Sequence, residues 1–360
     1  MISKKLKLGI LANELSGEEE SWVTACKKFS DQFSFEVIDL TAYNWLQLIK
    51  GRSFDFLLAK PPGLTAPFKQ LYDERIAIID RVLNIPVYPS PEEIYIYENK
   101  RYFYSWLAAN ALPHPKTFVF YNTDEASNFI KNTGLPLVAK ANIGASGSGV
   151  RILKSVQEAE SYISLAFTKG APVRWGPNLS KGGWIKRGFH YLKHPADIKK
   201  KTRSYSAVRS DKQKGFVLFQ EYIPHDYEWR IVVIGDSYFA HKKMKIKDKA
   251  SGSLLKSYDN PPLKLFDFAK KIMERFGFLS QAIDVFESPE GDLVINEMQC
   301  MFGQSDPYQM LVDGKPGRYR FIGEKWRFEA GDFNTNKNYD LRLAHVLDLL
   351  KHEGSVRKKQ

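Results

Sequence analysis

The chain has few thiols and no long apolar run. Cys26 and Cys300 are its two cysteines in 360 residues, too few for the disulfide framework of small secreted domains. No uncharged apolar stretch is long enough to span a bilayer. The amino terminus carries lysines and a short apolar run that leads into Glu18, Glu19 and Glu20, which does not fit a signal peptide. We therefore expect a soluble, cytoplasmic protein.

Familiar catalytic motifs are missing too. The glycine-rich stretch 144–149 is not a P-loop, because no Lys-Ser or Lys-Thr pair follows it, and it lacks the Gly-x-Gly-x-x-Gly order of dinucleotide-binding folds. None of the seven histidines has metal-ligand or triad spacing, so His225 and His241 are expected to be surface or core residues. The glycines and the strands beside them predict a flap that closes over phosphates.

Acidic residues are outnumbered in this sequence. With 53 Lys and Arg against 41 Asp and Glu, the net charge is +12. Residues 186–214 alone hold ten basic residues against two aspartates. Such a run is either a solvated face or a site for an anionic partner such as phosphate, glycan, nucleic acid or a lipid surface.

The pattern of apolar and polar residues changes after about the first ninety residues. Over the first ninety residues, short apolar runs alternate with helical patterns, which predicts a small parallel sheet with helices on its faces. We predict strands there at 6–12, 35–40 and 54–60 and helices at 22–29 and 67–83. Further along we predict helices at 92–110, 158–167 and 262–276, and strands at 135–141, 149–154, 216–223, 229–234 and 238–243.

This pattern predicts an α/β protein, with α+β character in its second part. The expected N-terminal α/β domain covers 1–91, a second domain covers 92–350, and a basic tail covers 351–360. Within the second domain we expect a lid subdomain at about 113–168, a basic insertion at about 170–215 and a C-terminal subdomain at about 216–350.

Two carboxylates should meet on a β-hairpin. Strand-like runs flank the turn-forming stretch 288–292, and a turn centred on residues 290 and 291 pairs Asp284 with Glu297 and Phe286 with Ile295. Opposed side chains lie about 5 Å apart, so two like charges destabilise the pair unless a cation separates them. Removing either charge is therefore expected to relieve repulsion.

A divalent cation is the expected partner of this acidic pair. Gln299 projects from the same face as Glu297 and adds an amide oxygen. An all-oxygen ligand set of this kind suits Mg²⁺ with bound phosphates. The alternative interpretation is an exposed hairpin with scattered acids.

Several short elements follow one another in a recognisable order, namely Asn99-Lys100, 137–140, 144–150, 220–223, Glu228 to Arg230, Asp284 and 296–299. Their order resembles the ATP-grasp superfamily, over roughly residues 85–300. The resemblance is strongest to the branch of ribosomal protein S6 glutamate ligases and glutathione synthetases, and to relatives associated with bacterial polysaccharide biosynthesis. It implies a small parallel-sheet domain followed by two α+β subdomains that clamp ATP.

The resemblance also implies roles for individual residues. Those that would hold the nucleotide are Lys100, Lys140, Ser146 and Gly147 at the phosphates, Gln220, Glu221, Tyr222 and Ile223 at adenine, and Glu228 at the ribose. Arg230 would steady the transferred phosphoryl group, and Lys249 stands where these relatives carry an arginine. Asp284, Glu297 and Gln299 would bind one or two Mg²⁺ ions, with Mn²⁺ as an alternative. Gln299 replaces the usual asparagine, and Lys249 lacks the two-pronged guanidinium.

An ATP-dependent carboxylate–amine ligase is the function that this resemblance implies. ATP would phosphorylate a carboxylate, and an amine would displace phosphate from the acyl phosphate. The partners would then be ATP, a carboxylate and an amine, such as an amino acid joined to a peptide, an anionic glycan or a lipid-linked precursor at the inner membrane face. Two alternatives stay open, namely a phosphotransferase on the same scaffold and a non-catalytic protein that binds nucleic acid or membrane.

Overall fold

The computed structural model describes residues 6–15, 17–144, 149–170, 206–208, 210–246, 249–250, 255–303 and 306–357. Most of the basic insertion expected at 170–215 lies outside these residues. The described chain forms three sheets.

The first sheet has four parallel strands in the order β2-β1-β3-β4. These strands are β1 (Leu6–Ala12), β2 (Phe33–Asp39), β3 (Phe56–Ala59) and β4 (Val87–Tyr88). The helices between them are α1 (Glu20–Lys28), α2 (Trp45–Lys50) and α3 (Ala66–Arg81). The expected parallel sheet is confirmed. Helix α2 was not predicted, because six residues are too few to show a helical period.

The helix expected at 92–110 is two helices, so that prediction was wrong. They are α4 (Pro91–Ile96) and α5 (Lys100–Ala109). The chain breaks at Glu98, whose φ of 51° lies in the left-handed region that residues with a Cβ seldom adopt. Asn99 then caps α5, since its side chain accepts a hydrogen bond from the Tyr102 amide. No glycine or proline marks this break in the sequence.

The second sheet is the lid sheet, with four antiparallel strands in the order β5-β8-β6-β7. Its strands are β5 (Thr117–Phe120), β6 (Leu137–Lys140), β7 (Val150–Leu153) and β8 (Val217–Glu221), and the helices that accompany it are α6 (Thr123–Asn132) and α7 (Val156–Thr168). Ile130, Ile163 and Phe219 share its buried core. Strand β8 follows the boundary expected at about 216, yet it pairs within the lid sheet.

The third sheet is the large sheet, which has nine strands. Its central order is β14-β13-β9-β10-β16-β15, with β11 and β12 on β10 and β17 on β16. The strands are β9 (Tyr227–Ile234), β10 (Ser237–Ile246), β11 (Lys249–Ala250), β12 (Lys256–Ser257), β13 (Ser280–Glu287), β14 (Leu293–Gln299), β15 (Leu311–Val312), β16 (Lys315–Ile322) and β17 (Lys325–Ala330).

Two helices complete this part of the chain, α8 (Lys264–Phe276) and α9 (Tyr339–Arg357). Helix α8 contacts β9 and β10, and it contributes Phe266, Ala269 and Ile272 to the buried core. Among the described helices, none has the length and apolar character needed to cross a bilayer.

The acidic hairpin has nearly the expected register. Asp284 pairs with Glu297, as predicted, but Val285 pairs with Ile295 because the register shifts between Asp284 and Val285. The predicted pairing of Phe286 with Ile295 was therefore wrong. The shift leaves Asn296 as the extra residue of a β-bulge, and an extra residue of this kind bends its strand and redirects its side chain.

Candidate functional site

Four side chains form one row across the large sheet. Strand pairing aligns Glu297 with Asp284, Asp284 with Arg230, and Arg230 with His241. Residues directly opposite each other on adjacent strands project to the same face, about 5 Å apart. The row therefore brings both predicted acids and the predicted arginine together.

Asp284 is held by two cations. Arg230 donates from Nε and Nη2 to the two carboxylate oxygens, at 2.7 and 2.8 Å, and Lys243 Nζ donates to Oδ2 at 2.7 Å. Asp284 is 1% exposed. Burial by itself would raise the pKa of this carboxyl, but Arg230 and Lys243 hold it well below its usual range. Asp284 is thus a buried carboxylate anion.

Lys243 also joins Asp284 to Glu228, the residue expected at the ribose. Its ammonium donates to Glu228 Oε2 at 2.9 Å. Burial would lower the pKa of Lys243, yet Asp284 and Glu228 raise it above its ordinary value. The other oxygen of Glu228 accepts a hydrogen bond from Asn296 Nδ2 at 3.0 Å. Asn296, the extra residue of the β-bulge, therefore connects Glu228 to β14.

Lys140 reaches the same cluster from the lid sheet. It lies at the end of β6, and its Nζ donates to Asn296 Oδ1 at 3.2 Å and to the Tyr104 hydroxyl at 2.7 Å. Burial lowers the pKa of this ammonium to about 8, although Glu297 and Glu228 favour its charged form. A nearby anion would therefore stabilise the charged form of Lys140.

Lys100 and Gln299 meet on the opposite side of the cluster, at Glu98. Lys100 Nζ lies 3.5 Å from Glu98 Oε2 and donates to the Gly144 carbonyl at 3.1 Å. Gln299 Nε2 donates to Glu98 Oε1 at 3.3 Å, while Gln299 Oε1 accepts from Arg230 at 3.4 Å. Burial raises the pKa of Glu98 to about 7.

A continuous chain of polar contacts thus links the lid sheet to the large sheet. It is the site network, and it connects the predicted residues Lys100, Lys140, Glu228, Arg230, Asp284 and Gln299 through Tyr104, Asn296, Lys243, Glu98 and Gly144.

Glu297 differs from the other acids of this region. Among the described residues, none donates a hydrogen bond to its carboxylate, and its charge raises the pKa of Glu98 and of Arg230. Asp284 Oδ1 accepts one hydrogen bond, from Arg230, and a carboxylate oxygen has room for two.

The described residues contain no cluster of three or more His, Cys, Asp or Glu side chains that could hold a metal. Mg²⁺, however, needs one or two carboxylates and takes its other ligands from water and phosphate. The oxygens of Glu297 and Asp284 therefore fit a divalent cation that is shared with a nucleotide.

The predicted adenine segment begins in the last two residues of β8 and runs to Ile223. Gln220 is buried and donates to Thr117 Oγ1 at 3.0 Å, whereas Glu221 is exposed. The Tyr222 hydroxyl accepts from Lys245 at 3.1 Å. The Ile223 carbonyl accepts from His225 Nδ1 at 2.8 Å. The segment continues from the end of a central strand of the lid sheet and leads into β9, the strand that carries Glu228.

Three predicted residues cannot be placed against this network. Ser146 and Gly147 lie outside the described residues. The backbone of Lys249 pairs with Ile246, but its side chain is not among those described. The prediction that these residues contact phosphate remains a prediction.

His241, at the end of the row, is a neutral core residue. It is 2% exposed and donates from Nδ1 to the Gln309 carbonyl at 2.9 Å. Burial lowers its pKa to about 3, and Arg230 and Lys256 act in the same direction. Its placement agrees with the expected core role.

Sequence reasoning gave no role to Lys243, Glu98, Tyr104 or Asn296. Lys243 had a usable signal, because Gly235 and Asp236 form a two-residue turn between strands. A turn there pairs residue 228 with 243 and residue 230 with 241. The contacts of the other three depend on the helix break and the bulge.

Comparisons with solved structures show what this arrangement is similar to. An N5-carboxyaminoimidazole ribonucleotide synthetase in complex with ADP is 13% identical over 83% of this chain and 71% of that chain, with a TM-score of 0.54. The biotin carboxylase domain of Hydrogenobacter thermophilus 2-oxoglutarate carboxylase, with MgADP and bicarbonate, is 13% identical over 85% of this chain and 66% of that chain, with a TM-score of 0.52.

A third structure, D-alanyl-alanine synthetase A from Vibrio cholerae, is 14% identical over 85% of this chain and 91% of that chain, with a TM-score of 0.50. The sequence matches no protein-family model, and no curated protein is significantly similar to it. At these identities the likeness concerns the fold alone. The fold is the ATP-grasp fold, as the sequence resemblance implied.

Proposed function

We propose that the protein is an ATP-dependent carboxylate–amine ligase. The observation that carries this proposal is the site network, which joins a buried lysine of the lid sheet to Arg230 and Asp284 of the large sheet, where Glu297 faces Asp284. Such a set combines cations for phosphates with carboxylates for a metal. The similar folds support the proposal, because they include a synthetase solved with ADP and a carboxylase domain solved with MgADP.

ATP binds between the two sheets in this proposal. Lys140 and Lys100 contact its phosphates, and the glycine flap with Ser146 and Gly147 covers them. The segment from Gln220 to Ile223 contacts adenine. Glu228 binds the ribose through Oε1, which in the structure accepts from the neutral Asn296 amide. Both lysines are held at fixed positions by hydrogen bonds, so little side-chain entropy is lost on binding.

Bound Mg²⁺ would neutralise phosphate charge during phosphoryl transfer, held by Glu297 and by Asp284 and Gln299. The carboxylate substrate attacks the γ-phosphorus, and an acyl phosphate and ADP form. Arg230 stabilises the charge that develops on the phosphoryl oxygens, with its guanidinium oriented by Asp284. An amine then displaces phosphate, and the closed flap excludes water that would hydrolyse the acyl phosphate.

The acceptor in this proposal is anionic, such as a uronic-acid glycan or a lipid-linked diphosphate precursor of polysaccharide synthesis. The support is the basic segment 186–214, which concentrates positive charge beyond what ATP needs. Such an acceptor would bring a cytoplasmic enzyme to the inner membrane face.

A screen for ADP release tests the proposal. Mixtures of an amino acid with a glycan or a peptide are supplied with Mg·ATP, and ADP is measured with and without each component. We expect ADP release that requires both a carboxylate and an amine. ADP release that saturates with one hydroxyl-bearing substrate and produces a phosphate ester would instead identify a phosphotransferase.

A further inference from the structure

Glu98 occupies an unusual place in the backbone. It lies between α4 and α5 with a φ of 51°, in the left-handed region that residues with a Cβ seldom adopt. The loop after β3 packs directly on it, since a Cβ on Gly63 would lie 2.9 Å from Glu98 Cγ. The first domain therefore contributes to fixing a carboxylate at the site network.

The side chain of Glu98 is buried and incompletely paired. The residue is 5% exposed, and Oε1 accepts a hydrogen bond from Gln299 Nε2 at 3.3 Å. Oε2 accepts none from the described residues. The nearest cation is Lys100, whose Nζ lies 3.5 Å from Oε2 and also donates to the Gly144 carbonyl.

Glu297 is a second carboxylate whose charge affects Glu98. Unlike Glu98, Glu297 has no hydrogen-bond donor among the described residues. Burial and the charge of Glu297 disfavour the ionised form of Glu98, whereas Lys100 favours it. Asp284, in contrast, is neutralised by Arg230 and Lys243. Glu98 therefore shares one cation, Lys100, with the Gly144 carbonyl, whereas Glu297 has no ion pair among the described residues.

We propose that Glu98 is a ligand of the divalent cation, which it holds together with Glu297 and the phosphates of the nucleotide. The inference rests on the proposed function, because the nucleotide supplies the remaining oxygens. Gln299 bridges Glu98 and Arg230, so Glu98 lies one side chain away from the row of Arg230, Asp284 and Glu297. Glu98 is thus an additional ligand beside those of the proposed function, among which Asp284 also orients Arg230.

The test measures metal binding separately from catalysis. Mn²⁺ binding is followed by electron paramagnetic resonance in the full-length protein saturated with ADP. The variant Glu98→Gln keeps the side-chain shape and an acceptor for Gln299 but removes the charge. We expect its Mn²⁺ affinity to fall by about tenfold or more, while ADP affinity in EDTA does not fall, because Lys100 keeps its charge.

Two companion variants make the result interpretable. Glu92→Gln changes a half-buried acid whose Oε1 accepts from the Tyr102 hydroxyl and which makes no contact with the described residues of the site network, so its Mn²⁺ affinity should equal that of the wild type. Glu98→Asp retains the charge and should bind Mn²⁺ more tightly than Glu98→Gln. Melting temperatures show whether each variant is folded, and Glu98→Asp carries the test if Glu98→Gln is not.

The outcomes separate this inference from the proposed function. If Glu297→Gln loses Mn²⁺ and Glu98→Gln binds it as the wild type does, Glu98 is not a ligand and the ligase proposal stands. If neither substitution changes Mn²⁺ affinity, both the inference and the proposed metal site are wrong.

Discussion

Arg230 binds both carboxylate oxygens of Asp284 from the neighbouring strand, at 2.7 and 2.8 Å. A two-pronged contact of this kind fixes the plane of the guanidinium as well as its position. Because Lys243 binds the same carboxylate, Asp284 is the shared partner of two buried cations. Removing its charge would therefore leave Arg230 and Lys243 without that partner, in addition to weakening any metal binding.

Asp284→Asn should destabilise the fold, whereas Glu297→Gln should leave stability unchanged or raise it slightly. Loss of one partner from a buried ion pair typically costs about 3–5 kcal/mol, because the other charge stays buried without compensation. Glu297 has no such partner among the described residues. Chemical denaturation of both variants measures the two free energies of unfolding.

This result would correct the expectation that removing either charge relieves repulsion. That expectation treated Asp284 and Glu297 as an isolated pair. Equal stabilities of the two variants would contradict the role of Asp284 as the anchor of Arg230 and Lys243. Both variants should nevertheless lose Mg²⁺-dependent turnover.

Lys140→Ala should weaken ATP binding. A charge-assisted contact to phosphate contributes roughly 1.5–3 kcal/mol, which corresponds to about ten- to a hundredfold in affinity. Isothermal titration calorimetry measures the change, with Lys131→Ala as a control, because Lys131 is an exposed lysine on helix α6 of the lid. Unchanged ATP affinity in Lys140→Ala would remove this lysine from the nucleotide site.

The stability of the wild type relative to Lys140→Met should rise with pH. Burial lowers the pKa of Lys140 from 10.5 to about 8, so between these values the unfolded chain binds a proton that the folded chain has released. Stability therefore increases with pH across this window. The expected gain over Lys140→Met is roughly 3 kcal/mol from pH 7 to above pH 10.5. Urea titrations at several pH values test it, and parallel curves would contradict it.

The basic segment should make acceptor binding sensitive to salt. Attraction between exposed charges is screened over about 8 Å at physiological ionic strength. Neutralising Lys199, Lys200 and Lys201 together should flatten the dependence of acceptor affinity on salt and leave ATP affinity nearly unchanged. A wild-type salt response in the triple variant would identify the segment as a solvated insertion.

The row of Glu297, Asp284 and Arg230 could be predicted in part because strand alternation and turn position are local properties. Asp284 and Glu297 face each other since their register depends on the turn near residue 290. Asn296 could not be placed, because nothing in the sequence marks the bulge that turns its amide toward Glu228 and Lys140.

The helix break at Glu98 could not be predicted for a different reason. The helical period runs through residues 97–99 without a glycine or proline, so local preference favours one helix. The break depends on tertiary contacts, including those of Gly63 and Gln299 with Glu98. A contact between residues this far apart in the chain has no local signal.

Hydroxylamine trapping shows directly whether the protein activates a carboxylate as an acyl phosphate. The protein is incubated with Mg·ATP, hydroxylamine and a panel of carboxylates, and both ADP and acyl hydroxamate are measured. We expect at least one carboxylate to yield the two products in equal amounts, and Glu297→Gln to yield neither. ADP formed together with a stable phosphorylated substrate and no hydroxamate would contradict it.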